Sequence, residues 1–155
     1  MTATEVRDLG SELIRLLTQQ RLLYRQLKEL AQKQRPLLDG ANPEMLLRLL
    51  AGRQRLVDRL AEIARQLKPL REQWQQIAAG LPAEQRAEAQ GLVGEVQAIL
   101  GEILARDEED TRVLQQQQAK VAAELQGATA GRRMHQAYGQ SQGAAQSRFL
   151  DTLSE

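Results

Sequence analysis

Residues 3–35 read ATEVRDLGSELIRLLTQQRLLYRQLKELAQKQR, and the spacing inside this stretch decides the fold class. Taken in sevens, Val6, Leu13, Gln20, Leu27 and Gln34 fall at one recurring site, and Leu9, Leu16, Leu23, Leu30 and Leu37 fall at the other. Only the two glutamines are polar. A seven-residue apolar repeat held this long is the pattern of an amphipathic helix with a coiled-coil-like seam. Pro36 and then Asp39-Gly40-Ala41-Asn42 end it, because proline disfavours helix in the residue before it and glycine relaxes the turn.

The pattern restarts at once. Asn42 suits an N-cap, Pro43 suits the first helical position, and Glu44 complements the positive end of the helix dipole. Leu46, Arg53, Leu60, Leu67 and Trp74 then alternate with Leu49, Leu56, Ile63, Leu70 and Ile77, so Arg53 is the sole charged residue on this seam. Pro69 lies inside the repeat, which stays in phase to Ile77; the expectation is one kinked helix. Gly80-Leu81-Pro82 makes a second hairpin. A third helix carries Val93, Val96, Leu100, Ile103, Leu114 and Val121, is interrupted by Asp107, Asp110 and Gln117, and fades after Leu125.

Leu, Gln and Ala supply nearly half of the 155 residues, and aromatics are 3% against 42% hydrophobic. Such a composition furnishes helices and leaves too little Val and Ile for a sheet. The expected fold is all-α: an elongated antiparallel bundle of three long helices, at about 3–35, 43–79 and 82–126, with coiled-coil-like packing. Residues 1–126 form the bundle. Residues 127–155, rich in Gly, Gln and Ser, form a flexible C-terminal tail that closes on the apolar motif Arg148-Phe149-Leu150-Asp151-Thr152-Leu153.

Charge and chemistry exclude several functions. Twenty-one Lys and Arg face twenty Asp and Glu, for a net charge of +1, and both signs are interspersed. This is not the concentrated basic face of a nucleic-acid binder. The chain has no Cys, which removes disulfides, thiolate metal sites and Cys nucleophiles. No basic, apolar leader opens the sequence, and no apolar run approaches the roughly 18–20 residues of a membrane span. The expected location is cytoplasmic.

The one histidine, His135, lies in the tail with no acidic partner or nucleophile beside it, and the bundle has no Glu-x-x-His pair for a metal. In the acidic run Asp107-Glu108-Glu109-Asp110, only Asp107 and Asp110 share a helix face. Gly91, Gly94 and Gly101 sit in a helical pattern without the Lys-Ser or Lys-Thr of a phosphate loop. They either permit close helix approach or weaken the helix by about 1 kcal/mol each. The reading is a protein without catalytic residues, metal or cofactor: an interaction protein.

The stretches Leu13-Ile14-Arg15-Leu16-Leu17, Leu23-Tyr24-Arg25-Gln26-Leu27-Lys28-Glu29-Leu30-Ala31 and Leu37-Leu38 before the Asp39-Gly40 turn resemble the FlgN family of flagellar type III secretion chaperones. So do the following helix with Leu46, Leu49, Leu56 and Leu60 and the closing Ala137-Tyr138-Gly139 and Arg148-Phe149-Leu150-Asp151. The resemblance implies a cytoplasmic chaperone that binds the helical C-terminal region of hook–filament junction proteins through its own C-terminal part and delivers them to an export-gate component. Tyr138 matches the family tyrosines linked to that hand-over. Phe149, Leu150 and Leu153 are the expected anchors, with Met134 and Tyr138 as a second contact. The alternative is a structural coiled coil used for oligomerisation or scaffolding.

One internal expectation tests the register. With Pro36 level with Pro43, and Ala79 level with Pro82, Arg53 falls level with position 108, between Asp107 and Asp110. Each of these charges is expensive to bury alone. At one level they can pair and fix the helix register.

Overall fold

The computed structural model of the chain describes residues 1–137. The sequence signals make four helices, α1 (Ala3–Leu37), α2 (Pro43–Glu72), α3 (Trp74–Gly80) and α4 (Ala83–Ala137), with no strand among the described residues. Contacts divide the chain at Asp110 into two parts, residues 1–110 and residues 111–155.

In the first part, α1 opens on a capping box. The Thr2 hydroxyl accepts from the Glu5 N–H, and the Glu5 carboxylate accepts from the Thr2 N–H, which satisfies donors that the first helical turn leaves free. The turn after α1 contains Gly40 at φ +79°, a left-handed conformation that glycine adopts without penalty. Asp39 accepts from the Ala41 N–H and Asn42 from the Met45 N–H, so α2 begins at Pro43. The α1 and α2 seams point inward. Leu13, Leu16, Leu23, Leu27, Leu60, Ile63, Leu67, Leu70 and Ile77 share one core with Leu92 and Ile103 of α4.

Helix directions follow from the contacts. Val6 lies against Gly80, while Gln34, near the other end of α1, meets Arg53; α1 and the α2–α3 run are therefore antiparallel. Between α1 and α4, Arg21 pairs with Glu95, Lys28 with Glu102 and Arg35 with Asp110. Numbers rise together on both helices, so these two run in the same direction.

Several expectations are corrected. There are four helices where three were expected, because the second breaks after Glu72. Pro69 cannot donate to the Arg65 carbonyl. One turn later Gln73 leaves the helical well, at φ −98°, ψ 8°. The ladder is still bonded across the joint, Gln73 N–H to Pro69 and Ile77 N–H to Gln73, so Ile77 stays in phase and fully buried. The first helix runs through Pro36 to Leu37, and the last continues to Ala137, past the expected end at 126. Residues 127–137 are helical and not a tail. Gly127 and Gly131 each lower helix propensity by about 1 kcal/mol, but Ala128, Ala130, Arg132, Arg133 and Met134 favour it and an existing helix propagates.

The third seam is also corrected. Val96, Leu100, Ile103, Asp107 and Asp110 of the expected seam are buried or half-buried and are joined by Ala89, Leu92, Ile99 and Arg106, whereas Val93, Leu114 and Val121 are exposed. The doublet Leu92-Val93 offers two equivalent phases, and packing selects Leu92, while Ile99 and Leu100 are both half-buried. Gly91, Gly94 and Gly101 have no neighbour within 4 Å of an added Cβ, so they serve no close approach. The close approaches lie at Gly10, where a Cβ would run into the Leu81 side chain, and at Gly80, where it would meet Val6 at 2.7 Å.

Candidate functional site

Two features of residues 1–110 concern interaction: a polar cluster between helices and an apolar slot. Residues 111–137 of α4 supply a third.

The cluster starts from Arg53, the charged exception on the α2 seam. Its guanidinium forks onto Asp107, Nη1 to Oδ1 at 2.9 Å and Nη2 to Oδ2 at 2.8 Å. Nη1 also donates to the Gln34 amide oxygen at 2.7 Å. The Gln34 amide nitrogen in turn donates to Asp110 Oδ2 at 3.1 Å, and Arg35 Nε donates to Asp110 Oδ1. Asp110 is 2% exposed. Its charge is tolerated because Arg35 pairs with it and Gln34 donates to its second oxygen. Hydrogen bonding to Asp107, and then the nearby Asp107 and Asp110 charges, push the Arg53 guanidinium above its ordinary value despite partial burial. The register residues are thus brought together, with a division of labour that sequence reasoning missed: Arg53 takes Asp107, Arg35 takes Asp110, and Gln34 bridges them. Gln34 is one of the two polar positions on the α1 seam, and that was the available signal.

The second glutamine on that seam, Gln20, has no such partner. It is 5% exposed and its Oε1 has no hydrogen-bond donor among the described residues. It lines a slot of about 490 Å³ between α1, α2 and α4.

The described stretch of α4 from residue 111 to 137 buries no residue fully. Leu114, Val121 and Met134 are 40%, 54% and 60% exposed. Of the expected contact residues, Met134 is therefore on an exposed helical surface, while Tyr138, Phe149, Leu150 and Leu153 lie outside the described residues. His135 is exposed on the same helix. Among the described residues no group of three or more His, Cys, Asp or Glu side chains could hold a metal, and no helix is long and apolar enough to cross a membrane.

Comparison with protein-family models, with curated proteins and with solved structures finds no match.

Proposed function

We propose that this chain is a cytoplasmic flagellar export chaperone, without enzymatic activity, that holds the helical C-terminal region of a hook–filament junction protein and hands it to an export-gate component. The observation that carries the reading is the apolar surface of α4 after Asp110, where Leu114, Val121 and Met134 stand exposed on one continuous helix. Helix-in-groove and helix-on-helix recognition uses such unburied apolar residues. Within residues 1–110, the α1–α2 hairpin with α4 parallel to α1 fits a coiled-coil-like bundle. Met134 and Tyr138, with Phe149, Leu150 and Leu153, are the proposed cargo contacts.

The test is calorimetric titration of the full chain with the C-terminal region of a hook–filament junction protein from the same genome. A one-to-one complex, lost when the chain is truncated after Leu125 while the helical signal of residues 1–110 persists, supports the chaperone. A stable homo-oligomer by light scattering, with no affinity for that region, supports the scaffolding alternative instead.

A further inference from the structure

The slot between α1, α2 and α4 is built from three helical stripes. Leu13, Leu17 and Gln20 form its α1 side, Leu70 and Trp74 its α2–α3 side, and Ala89, Val93 and Val96 its α4 side. Each stripe has the i, i+4 or i, i+4, i+7 spacing of one helix face, so the slot is about 10 Å long, two turns at about 1.5 Å per residue. Its base is apolar and closed, since Leu13, Leu17, Leu70 and Val96 are buried, whereas Val93 at its rim is 38% exposed.

Two polar groups lining it have no partner among the described residues. Gln20 Oε1 accepts from no donor although the residue is buried, a condition native interiors rarely leave standing. Arg71 is the only charged side chain lining the slot among the described residues, and it makes no ion pair with any of them. The slot therefore presents an apolar base edged by one cation, Arg71, and by the amides of Gln90 and Gln97.

We infer that this slot is a second cargo contact, taking the face of an amphipathic helix that carries apolar residues at i, i+3 or i+4 and i+7 and a carboxylate for Arg71. The inference rests on the chaperone reading for the source of that helix. A second copy of the chain is a poor occupant. Its helix at 111–137 has Glu124 as its only acidic residue, too little to meet Arg71 along a helix face. An acidic amphipathic helix matches both the charge and the apolar surface.

The experiment uses the full chain, the junction-protein C-terminal region as probe, and the variants Val93→Glu and Arg71→Glu, both at exposed positions. Helicity and melting temperature are checked first. On the inference, each variant weakens the complex at least about tenfold, Arg71→Lys stays within threefold, and the emission of Trp74, the chain's one tryptophan, moves to shorter wavelength when the probe binds. Affinities of both glutamate variants within twofold of the native chain, with Trp74 emission unchanged, overturn the slot and leave the chaperone reading standing. A native chain that does not bind the probe overturns both. A native homodimer that Val93→Glu dissociates assigns the slot to a second copy and overturns the inference.

Discussion

At the scale of single residues, the two polar positions on the α1 seam have opposite fates, and stability measurements distinguish them. Gln34 links two ion pairs, so the cluster around it acts as one unit. Arg53→Ala removes both the fork onto Asp107 and the packed aliphatic stem, whereas Arg53→Met keeps the stem. Arg53→Ala is expected to lower unfolding free energy by about 2–3 kcal/mol, and Arg53→Met by clearly less, read as a shift in denaturant midpoint at constant slope. Gln20 behaves in the reverse sense. Its Oε1 is buried with no donor among the described residues, so Gln20→Leu, of similar volume, is expected to stabilise the free protein by about 1 kcal/mol. A lower melting temperature for Gln20→Leu would show that the amide is satisfied in solution.

At the scale of helices, glycines divide by surroundings. Gly94→Ala and Gly101→Ala add a Cβ into open space and each should stabilise α4 by about 0.5–1 kcal/mol. Gly10→Ala gains the same propensity but drives its Cβ into Leu81, and overpacking of about 1–3 kcal/mol reverses the sign. Thermal melts of the three variants check this ordering. The α1 and α2 seams were legible because the repeat there is long and nearly unbroken: doublets such as Leu22-Leu23, Leu49-Leu50 and Leu56-Val57 do offer a second phase, and the sustained register selects the more buried member. On α4 the repeat is interrupted by Asp107, Asp110 and Gln117, so too little register remained to choose between Leu92 and Val93. The break at Gln73 had only Pro69 as warning, since the in-phase Trp74 and Ile77 hid it. The ion pairs between α1 and α4 were readable and overlooked: Arg21, Lys28 and Arg35 recur every seven residues, as do Glu95 and Glu102. Gly10 left no pattern, because its contact with Leu81 exists only after the chain turns back. The slot was invisible for the same reason, although the polar Gln20 in an apolar repeat marked the place.

For the whole molecule, charge sets a simple response to pH. The Glu12 carboxyl is held below its usual range by a hydrogen bond from Arg15, and that of Glu62 by hydrogen bonds from Arg65 and Gln66. A depressed carboxylate contributes stability that is present above its unfolded value and is lost as pH falls through the folded one. The raised Arg53 value acts at the opposite limit: its contribution is complete below the ordinary arginine range and is lost only above it. Melting temperature should thus be flat between about pH 6 and 9 and decline below about pH 4, with Glu12→Gln and Glu62→Gln together changing the acid decline only slightly because both pairs are exposed. Circular dichroism melts across that range are the check. The division at Asp110 has a separate consequence, in the timing of amide hydrogen exchange. Around Leu16, Leu67 and Ile77 an amide is released only when the shared core opens, so its deuterium uptake follows global unfolding. Between residues 111 and 137 no fully buried side chain has to move first. Those amides should exchange by local fraying, orders of magnitude sooner, and slow down only when a partner covers them.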